Sequence, residues 1–453
     1  MEARRIAAAP ARRISAEEAA GFVSSGMWID YGVALCQPDI FDAALALRKD
    51  QLHHVKIRAG LTVNPRAVLE ADPTGEHFFW INLHFSGYDR RKHDLGIANY
   101  LPVHLGEIPD YYRRFINPVD IVILKTCPMD ADGYFNFSAA NFWHHAVIER
   151  ARMVIVEESA GLPYVMGEHT GVHVSEVDYI IQGNDEPATE LTNPPPTEVD
   201  RAVARLILSE IEDGSCLQIG IGGMPNAVCS LLRESTVKDL GIHTEMLTDG
   251  IIDLYRDGRI TGAHKQLLPG KIVSTFALGS STLYNSIHHN PDFHFCPVDH
   301  TNLPHIIMQN DHVVSINNTT QIDLQGQAAS ESDGFRHISG TGGQSQFVRG
   351  AYASKNGKSF ICLASTYDKR GEMRSRIVTN LTKGNIVTTP RTDVMYVATE
   401  FGMVNLKGKS VAERAKALIS IAHPIFRESL ERDAYENRLI PRGFFGEGQA
   451  VVT

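Results

Sequence analysis

Residues 215–250 read SCLQIGIGGMPNAVCSLLRESTVKDLGIHTEMLTDG, and the choice of fold turns on them. A short apolar strand, Cys216 to Ile219, is expected to run into Gly220, Gly222 and Gly223. Pro225, whose φ is pre-set for a first helical turn, then opens a helical stretch from Asn226 to Leu232. Twenty residues past Pro225, Glu245 stands beside Ile242, Met246 and Leu247 rather than on a charged surface. A turn of bare backbone N–H groups with a carboxylate nearby suits chemistry on an activated acyl group. Two other readings stay open at this point. The turn also fits a plain strand-to-helix connection, or a dinucleotide cradle in which Glu245, 23 residues past Gly222, is the ribose-binding acid. Against the cradle, Pro225 occupies the place of the third glycine of G-x-G-x-x-G, and KDLGIHT makes a poor buried strand before Glu245.

Composition narrows the function classes. The 453 residues suffice for two or three domains, and 43% hydrophobic with 21% charged content is ordinary for a globular protein. No apolar run approaches the ~18 residues that span a bilayer. A formal charge of −10 argues against a dedicated nucleic-acid binder, which needs a basic surface. The six cysteines are scattered without a C-x-x-C pair, as buried thiols in a reducing cytoplasm would be. The opening MEARRIAAAPARR reads as a frayed tail, with ordered structure expected from a capping box at Ser15 and Glu18. A cytoplasmic location is the expectation.

Working outward, the clearest break is GNDEPATELTNPPPTEVD, residues 183–200, with four prolines and few apolar residues. A helix is expected from Thr197 through TEVDRAVARLILSEI. On either side, short apolar runs alternate with amphipathic stretches. Expected strands are MWIDYG, HHVKIRAGL, FFWINLHF, VDIVILKTC, ARMVIVEES and DYIIQG, then SCLQIGIG, KIVSTFALGS, VVSINNT, KSFICLAS, NIVTT and VMYVATEFG. Many are β-branched and apolar throughout, as strands buried on both faces of a mainly parallel sheet are. The pattern predicts two α/β domains side by side, 1–190 and 191–453.

Three constellations carry candidate chemistry. Glu245 in a dry pocket beside oxyanion donors has the makings of a nucleophile on a thioester, whereas Asp249 and Asp253 fit cap or surface positions equally well. SINNTTQIDLQGQ (315–327) and ISGTGGQSQFVRGA (338–351) concentrate amides, hydroxyls and a second glycine turn at Gly340, Gly342 and Gly343. That density suits a pocket contacting pantetheine amides or an oxyanion, or simply two hairpin turns. The 20 histidines include no H-E-x-x-H or other tight ligand spacing, so no metal is expected.

Seven ordered segments carry a resemblance: YLPVHLGEIP (100–109), LQIGIGGMPNAV (217–228), DLGIHTEMLTDGIIDL (239–254), INNTTQIDLQGQ (316–327), GTGGQSQFVRGA (340–351), SRIV (375–378) and RTDVMYVATEFGMVNLKGKS (391–410). Over nearly the whole chain they resemble the acetyl-CoA hydrolase/transferase group of the CoA-transferase superfamily, near the 4-hydroxybutyrate and butyryl-CoA:acetate CoA-transferases. The resemblance implies two CoA-transferase-like α/β domains with the active site at their interface: the carboxylate side in 1–190, the glutamate and CoA side in 191–453. It implies that Glu245 carries CoA as a γ-glutamyl thioester, and that the Gly343 N–H is an oxyanion donor. Gly222, Gly223, Met224, Pro225 and Asn226, with Thr320, Gly343 and Lys369, lie where such proteins contact CoA. Coenzyme A and acyl-CoA are then substrates rather than tightly bound cofactors, the partners are small carboxylic acids, and a homodimer or homotetramer is expected.

Two departures bear on substrate choice. Gln346 replaces the acid of the family's GGQ-x-D-F, and Asn317 to Leu324 reads NNTTQIDL where the family has N-S-A-I-E-V-D-L. Itaconate CoA-transferases are also similar, and a more polar pocket would suit a dicarboxylate such as itaconate or succinate, with Arg90, Arg91 and Lys92 as carboxylate partners. The expected reaction is a ping-pong transfer through Glu245. The rival readings are an acyl-CoA hydrolase using water, an NAD-dependent dehydrogenase and a non-catalytic CoA sensor.

Overall fold

The computed structural model describes residues 6–192 and 195–445. Eight strands build one sheet: β1 (Arg12–Arg13), β2 (Trp28–Val33), β3 (Val55–Gly60), β4 (Phe78–Asn82), β5 (Ala98–Tyr100), β6 (Ile121–Thr126), β7 (Met153–Glu158) and β8 (Tyr179–Gln182). Eight build a second: β9 (Cys216–Ile219), β10 (Gly241–Leu247), β11 (Ile272–Ala277), β12 (Phe293–Phe295), β13 (Val313–Asn318), β14 (Lys358–Cys362), β15 (Tyr396–Thr399) and β16 (Gly402–Asn405). The first runs in the order β1-β8-β7-β6-β2-β3-β4-β5, the second β12-β11-β10-β9-β13-β14-β15-β16. Every pairing is parallel except β15 with β16. As expected of such sheets, the central strands are buried along nearly their whole length.

Both sheets are wound alike. The chain lays down a central strand (β2 or β9), steps outward three strands, then returns to the other side of the centre. Each sheet therefore has a switch point, between β2 and β6 and between β9 and β13, where consecutive connections diverge. Crevices at the carboxyl ends of strands beside such points are where open α/β sheets bind ligands. One hydrophobic core runs without interruption from the first sheet to the second. At their junction Phe142 packs on Phe276 with ring centroids 4.6 Å apart.

Four sequence expectations change. Gly241–Leu247, expected to make a poor strand, is a central one. Its polar members find partners in place: the His243 Nε2–H donates to the Thr301 carbonyl (2.8 Å) and the Thr244 hydroxyl to that of Met246 (3.2 Å). The helix after the first glycine turn begins at Gly223 rather than Asn226 and runs to Glu234, because Gly222 at φ +117° turns the chain early. NIVTT forms no strand, only an isolated bridge from Thr389 to Ala328, and VMYVATEFG folds back as the β15–β16 hairpin. The proline-rich stretch 183–200 is held against the body where described. The Leu191 N–H donates to the Gly279 carbonyl (2.9 Å) and the Tyr284 hydroxyl to that of Thr189 (2.7 Å). Its Asn193 and Pro194 lie outside the described residues.

The caps hold. The Ser15 hydroxyl accepts from the Glu18 N–H, and Thr197 with Asp200 forms a reciprocal capping box for Glu198–Leu208. Among the described residues no helix is long and apolar enough to cross a membrane.

Candidate active site

A cavity of about 150 Å³ lies where the two sheets' strand ends face each other. The first half contributes Val33, Leu61, His84, Leu105 and Phe142. The second contributes the ends of β9 to β11 and β13 (Ile219, Gly220, Glu245, Met246, Phe276 and Asn317), together with Gly343, Gln344 and Phe347 from the second glycine turn and its helix. The wall is mostly hydrocarbon, and no lysine or arginine lines it.

Glu245 sits near the end of β10. Its Oε2 accepts from the Asn302 side-chain amide at 2.5 Å, and the Gly343 backbone N–H also faces the carboxylate. Burial pushes the Glu245 carboxyl up to about 7, and these two donors hold it from rising further. Gly343 precedes the helix Gln344–Ala353, so its N–H is one of the donors that a helix start leaves free. A β-carbon there would collide with Glu245 Oε2 and the Asn302 amide. With φ at −96°, the requirement for glycine is one of space, not of backbone conformation.

The sequence-expected positions divide in two. Glu245 and Gly343 meet directly. The first glycine turn reaches the cavity through Gly220 and Ile221, while Gly222 to Asn226 begin the adjoining helix. Of these, Gly223 abuts the Asp200 carboxylate, Met224 and Pro225 are buried, and the Asn226 N–H donates to the Gly222 carbonyl (3.1 Å). Thr320 and Lys369 do not line the cavity. The Thr320 hydroxyl donates to the Ala329 carbonyl (2.7 Å), and its own carbonyl accepts from Arg376 (2.9 Å). Lys369 lies exposed in the hairpin just before Arg376. Gly222 faces the Asn318 amide, two residues before Thr320, so these positions trail away from the cavity along the end of β13.

Of the basic trio, Lys92 is paired with Glu70 (2.9 Å) and Arg91 is exposed over the Tyr88 ring. Only Arg90 bears on the wall, where its charge acts on His84. The His84 imidazole is pushed down to about 4, chiefly by burial, and is neutral at pH 7. Asp249 accepts from the Ser280 N–H (3.1 Å), and Asp253 pairs with Arg233 (3.2 Å), so both are structural.

Sequence reading missed Asn302, which nothing in VDHTNLP marks out. It also missed the tie made by Gln346, whose Oε1 accepts from the Gly106 N–H of the other half at 2.9 Å. The substitution that stood out as a departure is thus a bond across the junction.

Two wound α/β sheets meet over a half-buried, hydrogen-bonded glutamate. The chain belongs to the acetyl-CoA hydrolase/transferase family, whose N-terminal domain model matches residues 4–191 and whose C-terminal domain model matches residues 279–434. It is 44% identical over 423 residues to butyryl-CoA:acetate CoA-transferase of Anaerostipes caccae, covering 93% of this chain and 95% of that one. It is 39% identical over 421 residues to 4-hydroxybutyrate coenzyme A transferase of Clostridium kluyveri, covering 92% and 96%. The crystal structure of RipA from Yersinia pestis superposes with a TM-score of 0.87 at 36% identity, covering 95% of this chain and 98% of that one.

Proposed function

We propose that the protein moves CoA between an acyl-CoA and a short monocarboxylic acid, with Glu245 as the nucleophile. The observation that carries this reading is the state of Glu245: half-buried between the halves, with Oε2 held by the Asn302 amide, the Gly343 N–H beside the carboxylate, and the carboxyl pushed up to about 7.

The Asn302 donor allots the roles of its oxygens. Oε1 is the attacking atom. It adds to the acyl-CoA carbonyl, the C–S bond breaks, and an acyl-glutamyl anhydride and CoA thiolate result. The thiolate then adds to the glutamyl carbonyl. Negative charge collects on Oε2, where the Asn302 amide already points and near which the Gly343 N–H faces the carboxylate. The first carboxylate leaves, and a γ-glutamyl-CoA thioester remains. A second carboxylate reverses both steps and departs as the new acyl-CoA. One thioester replaces another, so no external energy source is required. The apolar wall keeps water from the thioester, which favours transfer over hydrolysis.

The cavity supports a narrower substrate class than the family name does. Its volume suits a short chain, and a second carboxylate would be buried without a cation, since His84 is neutral and Arg90 to Lys92 do not line it. Acids of the acetate, butyrate or hydroxybutyrate kind fit better than itaconate or succinate. We take 1–190 as the acyl side and 191–453 as the glutamate and CoA side. The CoA chain then leaves Glu245 past Gly222 to Asn226 and Thr320 towards Lys369.

Incubation with butyryl-CoA lacking an acceptor, followed by mass spectrometry of the peptide holding residue 245, tests the mechanism. A CoA adduct on Glu245 is expected; its absence with every acyl-CoA tried refutes it. An acceptor panel of acetate, butyrate, 4-hydroxybutyrate, succinate and itaconate tests the class.

A further inference from the structure

A second cluster of chemistry-bearing side chains lies on the outer edge of the second sheet and takes no part in the reading above. His294 in β12 and Cys296 just beyond it stand two residues apart on an extended segment, which puts them on the same face. Across from them is Glu168, from the other half of the chain. Ligand atoms of Glu168, His294 and Cys296 all lie within 4.8 Å of one another. Glu168 is fixed at its backbone: its N–H donates to the Phe295 carbonyl (2.9 Å), and its carbonyl accepts from the Asn141 amide (2.8 Å). Only its side chain has freedom to adjust.

Hydrogen bonding does not account for the cluster. His294 Nε2 is shut off from solvent and has no hydrogen-bond partner among the described residues. Glu168 Oε1 is 3.6 Å from it, too long for such a bond. That separation matches the edge of a zinc coordination tetrahedron, about 3.4 Å for nitrogen and oxygen ligands at ordinary bond lengths. His300 Nδ1 stands 3.4 Å from the other Glu168 oxygen, where it orients the carboxylate. Lys265, whose charge acts on His294 and Cys296, is itself committed to the Lys271 carbonyl at 2.7 Å. Access exists as well: His300 borders a wide cleft of about 730 Å³ between the halves, and Glu168 is 46% exposed.

We propose that Glu168, His294 and Cys296 form a zinc site that clips the Met166–Glu168 segment of the first half onto the edge strand of the second sheet. One thiolate, one imidazole and one carboxylate is a donor set that zinc favours over magnesium or calcium. Binding releases the Cys296 proton to solvent, and water or His300 completes the fourth position. The role is structural: the ion joins the halves at a place remote in sequence from Glu245, and it adds stability only when both halves are folded.

Cobalt substitution tests this in the full chain after dialysis against a chelator. Titration with Co²⁺ is expected to give a sulfur-to-cobalt charge-transfer band, and Zn²⁺ to displace it and raise the Tm by several degrees. C296S should lose the band, and E168Q and H294Q should weaken metal binding and abolish the rise in Tm. E245Q should retain both signals, which separates this site from the transferase reading. Absence of the band in the wild-type protein overturns the proposal without reference to any variant. So does a band that persists unchanged in C296S, or a cobalt spectrum showing only nitrogen and oxygen ligands.

Discussion

Asn302 Nδ2 and Glu245 Oε2 are 2.5 Å apart although 57 positions separate them in sequence, and on the proposed mechanism this contact leaves Oε1 as the oxygen that attacks. Asn302→Ala removes a donor from the atom that becomes the oxyanion. A loss of about 10²- to 10³-fold in kcat is expected with little change in KM. Because that hydrogen bond also lowers the Glu245 pKa, the acid limb of the rate profile should move to higher pH in the variant. A pH–rate series on both proteins checks this; an unmoved limb contradicts it.

The wild-type profile follows from the same carboxyl. Glu245 must be ionised to attack, so kcat/KM should fall as pH drops through about 7. Stability should run the other way. The folded pKa lies above the unfolded value near 4.5, so the folded state holds the proton more tightly. Stability is then lost as pH rises from about 4.5 to about 7, by up to about 3 kcal/mol. Glu245→Gln should therefore be inactive yet more thermostable than wild type at pH 8, with the gap closing at pH 4.5. Thermal unfolding at the two pH values measures it.

Gly343→Ala places a methyl group against Glu245 Oε2 and Asn302 without straining the backbone. The variant should fold with an unchanged circular dichroism spectrum while losing at least about 100-fold in kcat. Near-normal turnover would show that the N–H of Gly343 does not serve Glu245.

Gln346→Ala leaves the Gly106 N–H without its partner across the junction. A cost of about 1–3 kcal/mol is expected in denaturant unfolding. Gln346→Glu, which keeps an accepting oxygen, should recover most of it.

Leu61 lines the cavity with φ at +47°, a conformation that side chains disfavour. Leu61→Gly relieves that strain while enlarging the acyl side of the cavity. Preference for hexanoyl-CoA over acetyl-CoA should rise by about tenfold or more, at little expense in Tm. Measured kcat/KM ratios for the two thioesters decide it.

Most of the fold was legible in the sequence because fully buried parallel strands announce themselves as apolar, β-branched runs. IVILK and MVIVEE need no context to be read. Gly241–Leu247 was not legible, because its polar His243 finds a carbonyl partner in Thr301, which only the folded chain brings near. Glu245 stood out by its apolar neighbours. Asn302 did not, since an asparagine in a short polar turn looks the same whether it faces water or a carboxylate. Gln346 was visible as a departure, yet its partner, Gly106, lies 240 residues away.

The matching winding of the two sheets has a consequence for how such a protein can change. Each sheet opens its own crevice and the crevices meet face to face, so the proposed function gives one wall to the acyl chain and the other to the nucleophile. Val33 and Leu61 stand on a strand end and a loop of the first half, whereas the Leu105 N–H donates to the Gly342 carbonyl (3.1 Å), the same peptide that carries the Gly343 N–H. On the proposed reading, mutation at Val33 or Leu61 can retailor substrate preference while the bond-making chemistry is inherited intact, and Leu105 is the stitch that joins the two fabrics.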